Sequence, residues 1–181
     1  MTIFISGGCK NGKSTIAEDC CVKLSAGGPL YYVATMVAYD DEDRERIKRH
    51  VKNRQGKNFI TLEQPKDLLE CLKYSDPRNG TYLLDSVTAL LINEMYSPDR
   101  PDTDPEAGKR TAKDLAAFAK KVKNAVFVSD YIYSETPAYS EYTKEYMKAL
   151  ALCDRTLAQK CDAVAEICGS IPTMYKGELP L

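Results

Sequence analysis

The sequence contains one histidine, His50, and none of its seven cysteines falls in a C-x-x-C pair or a His-containing metal pattern. That absence excludes the usual zinc-site spacings. Net charge is also missing: 25 Lys and Arg stand against 26 Asp and Glu, a formal −1. Such a balance gives no bulk attraction to nucleic acid or to an anionic membrane surface. No apolar run is long enough to span a bilayer. The chain enters an apolar strand at once, Ile3-Phe4-Ile5, which leaves no room for a secretory signal. The expectation is a cytoplasmic protein with reduced, mostly buried thiols, Cys20 and Cys21 being neighbours on a first helix. Cys9 is expected to be the thiol exposed to ligand, with a redox role as a minor alternative. At 181 residues the chain fits one domain, 1–181, with length enough for a sizeable core.

What is present begins at Gly7. Gly7-Gly8-Cys9-Lys10-Asn11-Gly12-Lys13-Ser14 follows that strand and precedes a helical stretch, Thr15 to Ala26. This is the GxxxxGK pattern closed by a hydroxyl residue, in the strand–loop–helix context that gives it meaning. A loop that turns backbone N–H groups around a phosphate needs positive φ and no crowding Cβ atoms, hence Gly7, Gly8 and Gly12. The helix N-terminus adds its partial positive charge. Lys13 supplies a full charge to β- and γ-phosphates, and the Ser14 hydroxyl suits Mg²⁺. The sequence therefore predicts a nucleoside triphosphate site.

Beyond it, strand-like and helix-like segments alternate. Short apolar runs at 30–34, 59–62, 82–84, 125–128 and 164–168 read as buried parallel strands. Helical patterns lie between them at 41–52, 66–74, 87–96, 106–123 and 139–160, and residues 173–175 suit a final edge strand. The fold class is α/β, a mostly parallel sheet with helices on both faces. Ser97 to Gly108 holds three prolines and reads as an exposed loop, either a plain connector or a lid or oligomer contact. Asp85 ends an apolar strand, where it is either a strand-end cap or the magnesium acid of a P-loop protein.

Residues 44–57 carry seven basic side chains against one acid, Glu45, with His50 in their midst. Arg46 lies one turn before His50, and Arg54 follows one turn after if the helix reaches it. Neighbouring cations disfavour imidazolium, which favours a neutral, nucleophilic His50; a helix C-terminus nearby acts the other way. The alternative is a solvated basic face with a surface histidine. A nucleic-acid interface is disfavoured because aromatic stacking platforms are missing.

These residues also carry a resemblance. FISGGCKNGKS, LYYVAT, DDEDRERIKRHVKNR with TLE shortly after, and LLDSVTALLINEM resemble the bifunctional adenosylcobinamide kinase/adenosylcobinamide-phosphate guanylyltransferase family of cobalamin biosynthesis. The Arg46-Ile47-x-x-His50-x-x-x-Arg54 spacing is the most specific part. The resemblance implies a RecA-like P-loop sheet with one antiparallel edge strand, often in a trimer, so a homo-oligomer is expected. It implies two reactions at one nucleotide site: phosphorylation of a corrinoid hydroxyl by ATP or GTP, and transfer of GMP from GTP through a guanylylated histidine. Carried across, His50 falls on that histidine, with Lys13 and Arg54 as further catalytic residues. Gly7, Gly8, Cys9, Lys10, Asn11, Gly12, Lys13, Ser14 and Thr15 fall on the phosphate loop. Thr35, Met36, Val37 and Ala38 fall on a loop lining the nucleotide, Glu63 near the guanine, and Asp85 on the acid of the third motif. Ser14 and Asp85 are the implied Mg²⁺ ligands.

The second half departs from the family. Where it usually has Asn-Glu-Val-Gly, this chain has Ser129-Asp130-Tyr131-Ile132, and the arginines of a later segment are replaced at Lys144 to Lys148. The asparagine before a Leu-Ala stretch is Asp154, and a tryptophan near Phe59 is missing. These changes bear on the corrinoid more than on the nucleotide. The loop from Asp130 to Pro137 and the following helix are expected to face the second substrate, with Tyr131, Tyr133, Tyr139, Tyr142 and Tyr146 forming either a flat pocket or half-buried packing. Two other readings stand beside the enzyme: a nucleotide-binding module or regulator that lost the acceptor chemistry, and a P-loop kinase for another small alcohol.

Overall fold

The computed structural model describes residues 1–96, 103–132 and 139–181. Seven strands form one sheet in the order β3-β2-β4-β5-β1-β6-β7. They are β1 (Thr2–Gly7), β2 (Leu30–Ala34), β3 (Phe59–Glu63), β4 (Thr81–Asp85), β5 (Asn124–Asp130), β6 (Ala163–Cys168) and β7 (Ile171–Lys176). All neighbouring pairs are parallel except β6 with β7. The expected α/β sheet with an antiparallel edge strand is therefore present. Pro172 is tolerated in β7 because that strand lies at the edge.

Strand alternation splits the core between the two faces. Phe4, Tyr31, Val33, Tyr82, Leu84 and Phe127 point to one side, where α3 (Val87–Met95), α4 (Ala107–Lys121) and α5 (Glu141–Lys160) cover them. Ile3, Ile5, Tyr32, Leu83, Val126 and Val128 point to the other, under α1 (Lys13–Ser25). Burying large apolar side chains on both faces supplies the main stabilising term, about 1.5–3 kcal/mol for each fully buried one.

Several elements differ from the sequence expectation. The segment 66–74 is a 3₁₀ helix, Leu68–Tyr74, not an α-helix. Asp67 before it sits at φ 51, so the chain enters the 3₁₀ segment from a left-handed residue with no capping side chain. Of the loop expected at 97–108, residues 97–102 lie outside the described residues. Its other end is not loop: Ala107 and Gly108 belong to α4. A Cβ on Gly108 would lie 2.6 Å from Cβ of Ala149, so this glycine permits the close α4–α5 contact. Helix α5 begins at Glu141, where Ser140 caps it by accepting from Thr143 N at 3.2 Å. Helix α2 (Asp41–Asn53) is capped by Asp40, whose Oδ1 accepts from Asp43 N at 2.8 Å. Three acids in its first turn and Lys52 in its last complement the helix dipole.

Candidate active site

Because β1, β2, β4 and β5 run in parallel, the segments that follow them gather at one edge of the sheet. β1 delivers the phosphate loop, β2 the Thr35–Ala38 segment, β4 Asp85 and β5 Asp130. This is where open α/β sheets bind ligands.

The phosphate loop is closely packed. Gly7 and Gly12 have φ of 157° and 85°. A Cβ on Gly7 would lie 2.5 Å from Ile167 O, and one on Gly12 2.5 Å from Ser170 Oγ. Gly8 differs from expectation: it has no positive φ, and Lys10, at φ 58, takes the left-handed position instead. A Cβ at Gly8 would lie 2.9 Å from Asn11 Nδ2, the end of a side chain that can turn aside. The β6–β7 turn braces the loop from outside, with Ser170 N donating to Asn11 O at 3.0 Å. Gly12 precedes α1, whose first residues are Lys13, half-buried Ser14 and exposed Thr15. Cys9 is exposed as expected, but so is Cys168; the other five thiols are buried.

Lys13 is nine-tenths buried, and its Nζ is 2.6 Å from Gly8 O and 2.7 Å from Asp130 Oδ1. Sequence reasoning placed Asp130 in an acceptor loop and missed this pairing. The available signal was the same one noted for Asp85, an apolar strand ending in a carboxylate. Here β5 lies between β1 and β4, and its last residue registers with Gly7.

Beyond Asp130 opens a cavity of about 700 Å³. His50, Arg54, Met36, Val37, Ala38, Glu63 and Asp85 line it, so the structure brings these predicted residues onto one wall. Thr35 is not on that wall. It is fully buried, its Oγ1 accepting from Ser86 N and donating to Ser86 O, each at 2.8 Å. Asn93 of α3, also missed, ties the loop down by donating to Thr35 O at 2.7 Å and Pro65 O at 3.1 Å. None of residues 7–15 lines the cavity, yet Asp130 does. Asp130 thus touches both halves of the predicted site.

The wall is organised by Tyr32, a third residue the sequence did not single out. Its hydroxyl donates to Asp85 Oδ2 at 3.1 Å, and burial, with the Asp85 charge second, raises its pKa well above that of a free phenol. It therefore remains a hydrogen-bond donor. Strand period was the signal: Tyr31 stacks on Tyr82 on one face, which sends Tyr32 to the other. Arg54 caps α2 with helical backbone angles, and its guanidinium lies 3.4 Å from the Tyr32 ring centroid. Arg54 is 8% exposed, and its Nη1 is buried with no hydrogen-bond partner. Burying such a donor is costly unless a ligand atom meets it. Lys57, just after, pins this end of α2 to α1 through Glu18 at 2.9 Å and Asp19 at 3.0 Å.

His50 is 28% exposed, with Nδ1 3.8 Å from Asp85 Oδ2. That carboxylate adds a negative group to the mostly basic surroundings read from the sequence, so the local field is mixed. Of the tyrosines expected around a second substrate, Tyr146 alone among the described residues lines the cavity, as a buried side chain donating to Thr88 O at 3.2 Å. Tyr131 and Tyr142 are exposed and off the wall. Tyr133 and the rest of the loop to Pro137 lie outside the described residues.

Among the described residues no cluster of three His, Cys, Asp or Glu could hold a metal. Mg²⁺ bound mainly through substrate phosphates would ask the protein for only one or two oxygen ligands. Ser14 and Asp85 are oxygen donors of that kind. Asp85 Oδ2 meets Tyr32 and faces His50.

No curated protein matches the chain. Among solved structures, a KaiC-like protein from the hyperthermophilic archaeon Pyrococcus horikoshii OT3 is similar at a TM-score of 0.47 and 13% identity, over 91% of this chain and 69% of that one. That likeness is too slight to carry an argument. The family comparison is not slight: the model for cobinamide kinase / cobinamide phosphate guanyltransferase matches residues 3–174. The match spans the loop, the His50 wall and the divergent second half together. The chain belongs to the cobinamide kinase / cobinamide phosphate guanyltransferase family, transferases of cobalamin biosynthesis that act on cobinamide.

Proposed function

We propose that this chain performs both transfers: phosphorylation of the cobinamide hydroxyl by ATP or GTP, then transfer of GMP from GTP to cobinamide phosphate through a guanylylated His50. The observation that carries the reading is the placement of His50, Asp85 and Arg54 on one cavity wall, joined through Asp130 to Lys13. A single triphosphate held by the loop then extends toward His50.

In the guanylyl step, Nε2 of His50 attacks the α-phosphorus of GTP. The N–P bond forms as the bond from Pα to its bridging oxygen breaks, and pyrophosphate leaves. The positive charge that develops on the imidazole is met by Asp85, which faces Nδ1 and is itself held by Tyr32. The unpaired Nη1 of Arg54 supplies a donor to non-bridging oxygens of the α-phosphate, already oriented by its stack on Tyr32. Loop amides and Lys13 hold the departing pyrophosphate. A phosphate oxygen of cobinamide phosphate then attacks the same phosphorus, the N–P bond breaks, and His50 is regenerated. Mg²⁺, when bound, offsets the charge of the phosphate oxygens, with Ser14 and Asp85 as its protein ligands. Assembly as a homo-oligomer, a trimer by family resemblance, belongs to the same proposal.

The test is the fate of label. With GTP labelled at the α- or the γ-phosphorus and no acceptor present, α-label is retained on the peptide containing His50 and γ-label is not. The bond is cleaved by acid and survives alkali, as a phosphoramidate does. Retained γ-label would overturn the reading.

A further inference from the structure

The guanylyl step gives Asp130 no chemical task. Asp130 is 22% exposed, lines the cavity, and pairs with the phosphate-loop lysine at 2.7 Å. Its Oδ2 is 3.4 Å from Thr88 Oγ1, a long contact. Asp85 is differently placed. It registers with Val128 on β5, two residues before Asp130, and its Oδ2 faces Tyr32 and His50. The two carboxylates thus stand at successive positions along the same sheet edge, one turned to the histidine and one to the lysine.

The pair between Lys13 and Asp130 cannot persist unchanged once a triphosphate arrives. The ammonium turns its donors to phosphate, and Asp130 is left beside a polyanion. A carboxylate there is destabilised unless a donor replaces the lost one. An alcohol is the donor that the kinase reaction brings. The spacing suits it: with the ammonium still 2.7 Å from Asp130 Oδ1, a phosphate oxygen about 2.8 Å from it along another tetrahedral N–H lies about 4.5 Å from that carboxylate oxygen, and the gap widens as the ammonium turns to phosphate. That gap holds one hydroxyl oxygen at hydrogen-bond distance from Asp130 and near-attack distance from the γ-phosphorus, about 3–3.5 Å.

We infer that Asp130 is the general base of the phosphoryl-transfer step, receiving the proton of the acceptor hydroxyl. The inference rests on the kinase half of the function proposed above. The acceptor oxygen forms a bond to the γ-phosphorus, the bond from that phosphorus to the β-phosphate oxygen breaks, the nucleoside diphosphate leaves, and the proton passes to Asp130. The ion pair with Lys13 is the resting state, in which each group neutralises the other until substrates separate them.

The experiment measures cobinamide phosphate formed from ATP and cobinamide by wild type, Asp130→Asn and Asp130→Glu, together with the nucleotide Kd of each. Asp130→Asn is expected to lower kcat by about 10²–10⁴-fold with no weakening of nucleotide binding, and Asp130→Glu to recover part of the rate. An Asp130→Asn kcat within threefold of wild type would overturn the assignment. So would a rise in nucleotide Kd that matches the loss in kcat/KM, which would make Asp130 an anchor for Lys13. Recovery of rate at raised Mg²⁺ would make it a metal ligand and also overturn it. Wild type that makes no cobinamide phosphate defeats the kinase reading itself, a result separable from the others because it needs no variant.

Discussion

The phosphate loop and the wall bearing His50 stand at the same edge of the sheet but are held there differently. The loop is one contiguous stretch whose shape is set by backbone: Gly7 and Gly12 lie where a Cβ would collide with Ile167 and Ser170. The wall is assembled by side chains from separate segments: Tyr32 from β2, Asp85 from β4, and Arg54 and His50 from the end of α2. A backbone-built site tolerates few changes anywhere along it. A side-chain-built site concentrates its dependence on the residue that others lean on, here Tyr32, which supports Arg54 with its ring and Asp85 with its hydroxyl.

Substitutions that separate these two modes sharpen the contrast. Lys13→Ala has the largest expected effect on binding. At GTP concentrations near 100 times the wild-type Kd, with Mg²⁺ present, wild type gains about 2.7 kcal/mol, a melting shift of roughly 5–10 °C. The variant is expected to show none of that shift. Its ligand-free melting point also falls, because Asp130 loses its buried partner. A wild-type response to GTP would remove the loop as the nucleotide site.

Arg54→Ala acts on the wall. The rate of GMP attachment to His50 is expected to drop by about 10²–10³-fold, read by quenched-flow mass spectrometry, while the GTP-dependent melting shift is largely retained. Equal losses in both measurements would mean that Arg54 serves ground-state binding instead.

Tyr32→Phe gives the smallest effect. It keeps a ring for Arg54 and removes the hydroxyl from Asp85, so the same rate should fall about tenfold, or about 1.4 kcal/mol. Tyr32→Leu removes both supports and should approach the Arg54→Ala value. If Phe and Leu behave alike, the ring is not what holds the guanidinium.

The same contrast explains what the sequence disclosed. The loop was legible because its chemistry needs adjacent residues, and the parallel sheet because every short apolar run but the last is followed by a helical pattern. Local geometry was less so: the left-handed position fell to Lys10 and not to Gly8. The gathering of His50, Arg54, Glu63 and Asp85 was expected from family resemblance, because nothing local in 85 or 63 points at 50. Tyr32, Asn93 and Asp130 stayed hidden for a physical reason. Each has an ordinary local role in a strand, a helix face or a strand end, and gains its function from a partner distant in sequence. Tyr131 and Tyr142 show the converse: aromatic residues that looked like a pocket are exposed away from it.

The central claim is that the loop and the His50 wall act on one and the same GTP. Intact-mass spectrometry after incubation with GTP and Mg²⁺, without acceptor, tests it directly on wild type, His50→Asn and Lys13→Ala. The account predicts one added GMP per wild-type chain, none on His50→Asn although it still binds nucleotide, and none on Lys13→Ala over the time in which wild type saturates. An adduct that persists in His50→Asn, or that forms at the wild-type rate in Lys13→Ala, would contradict it.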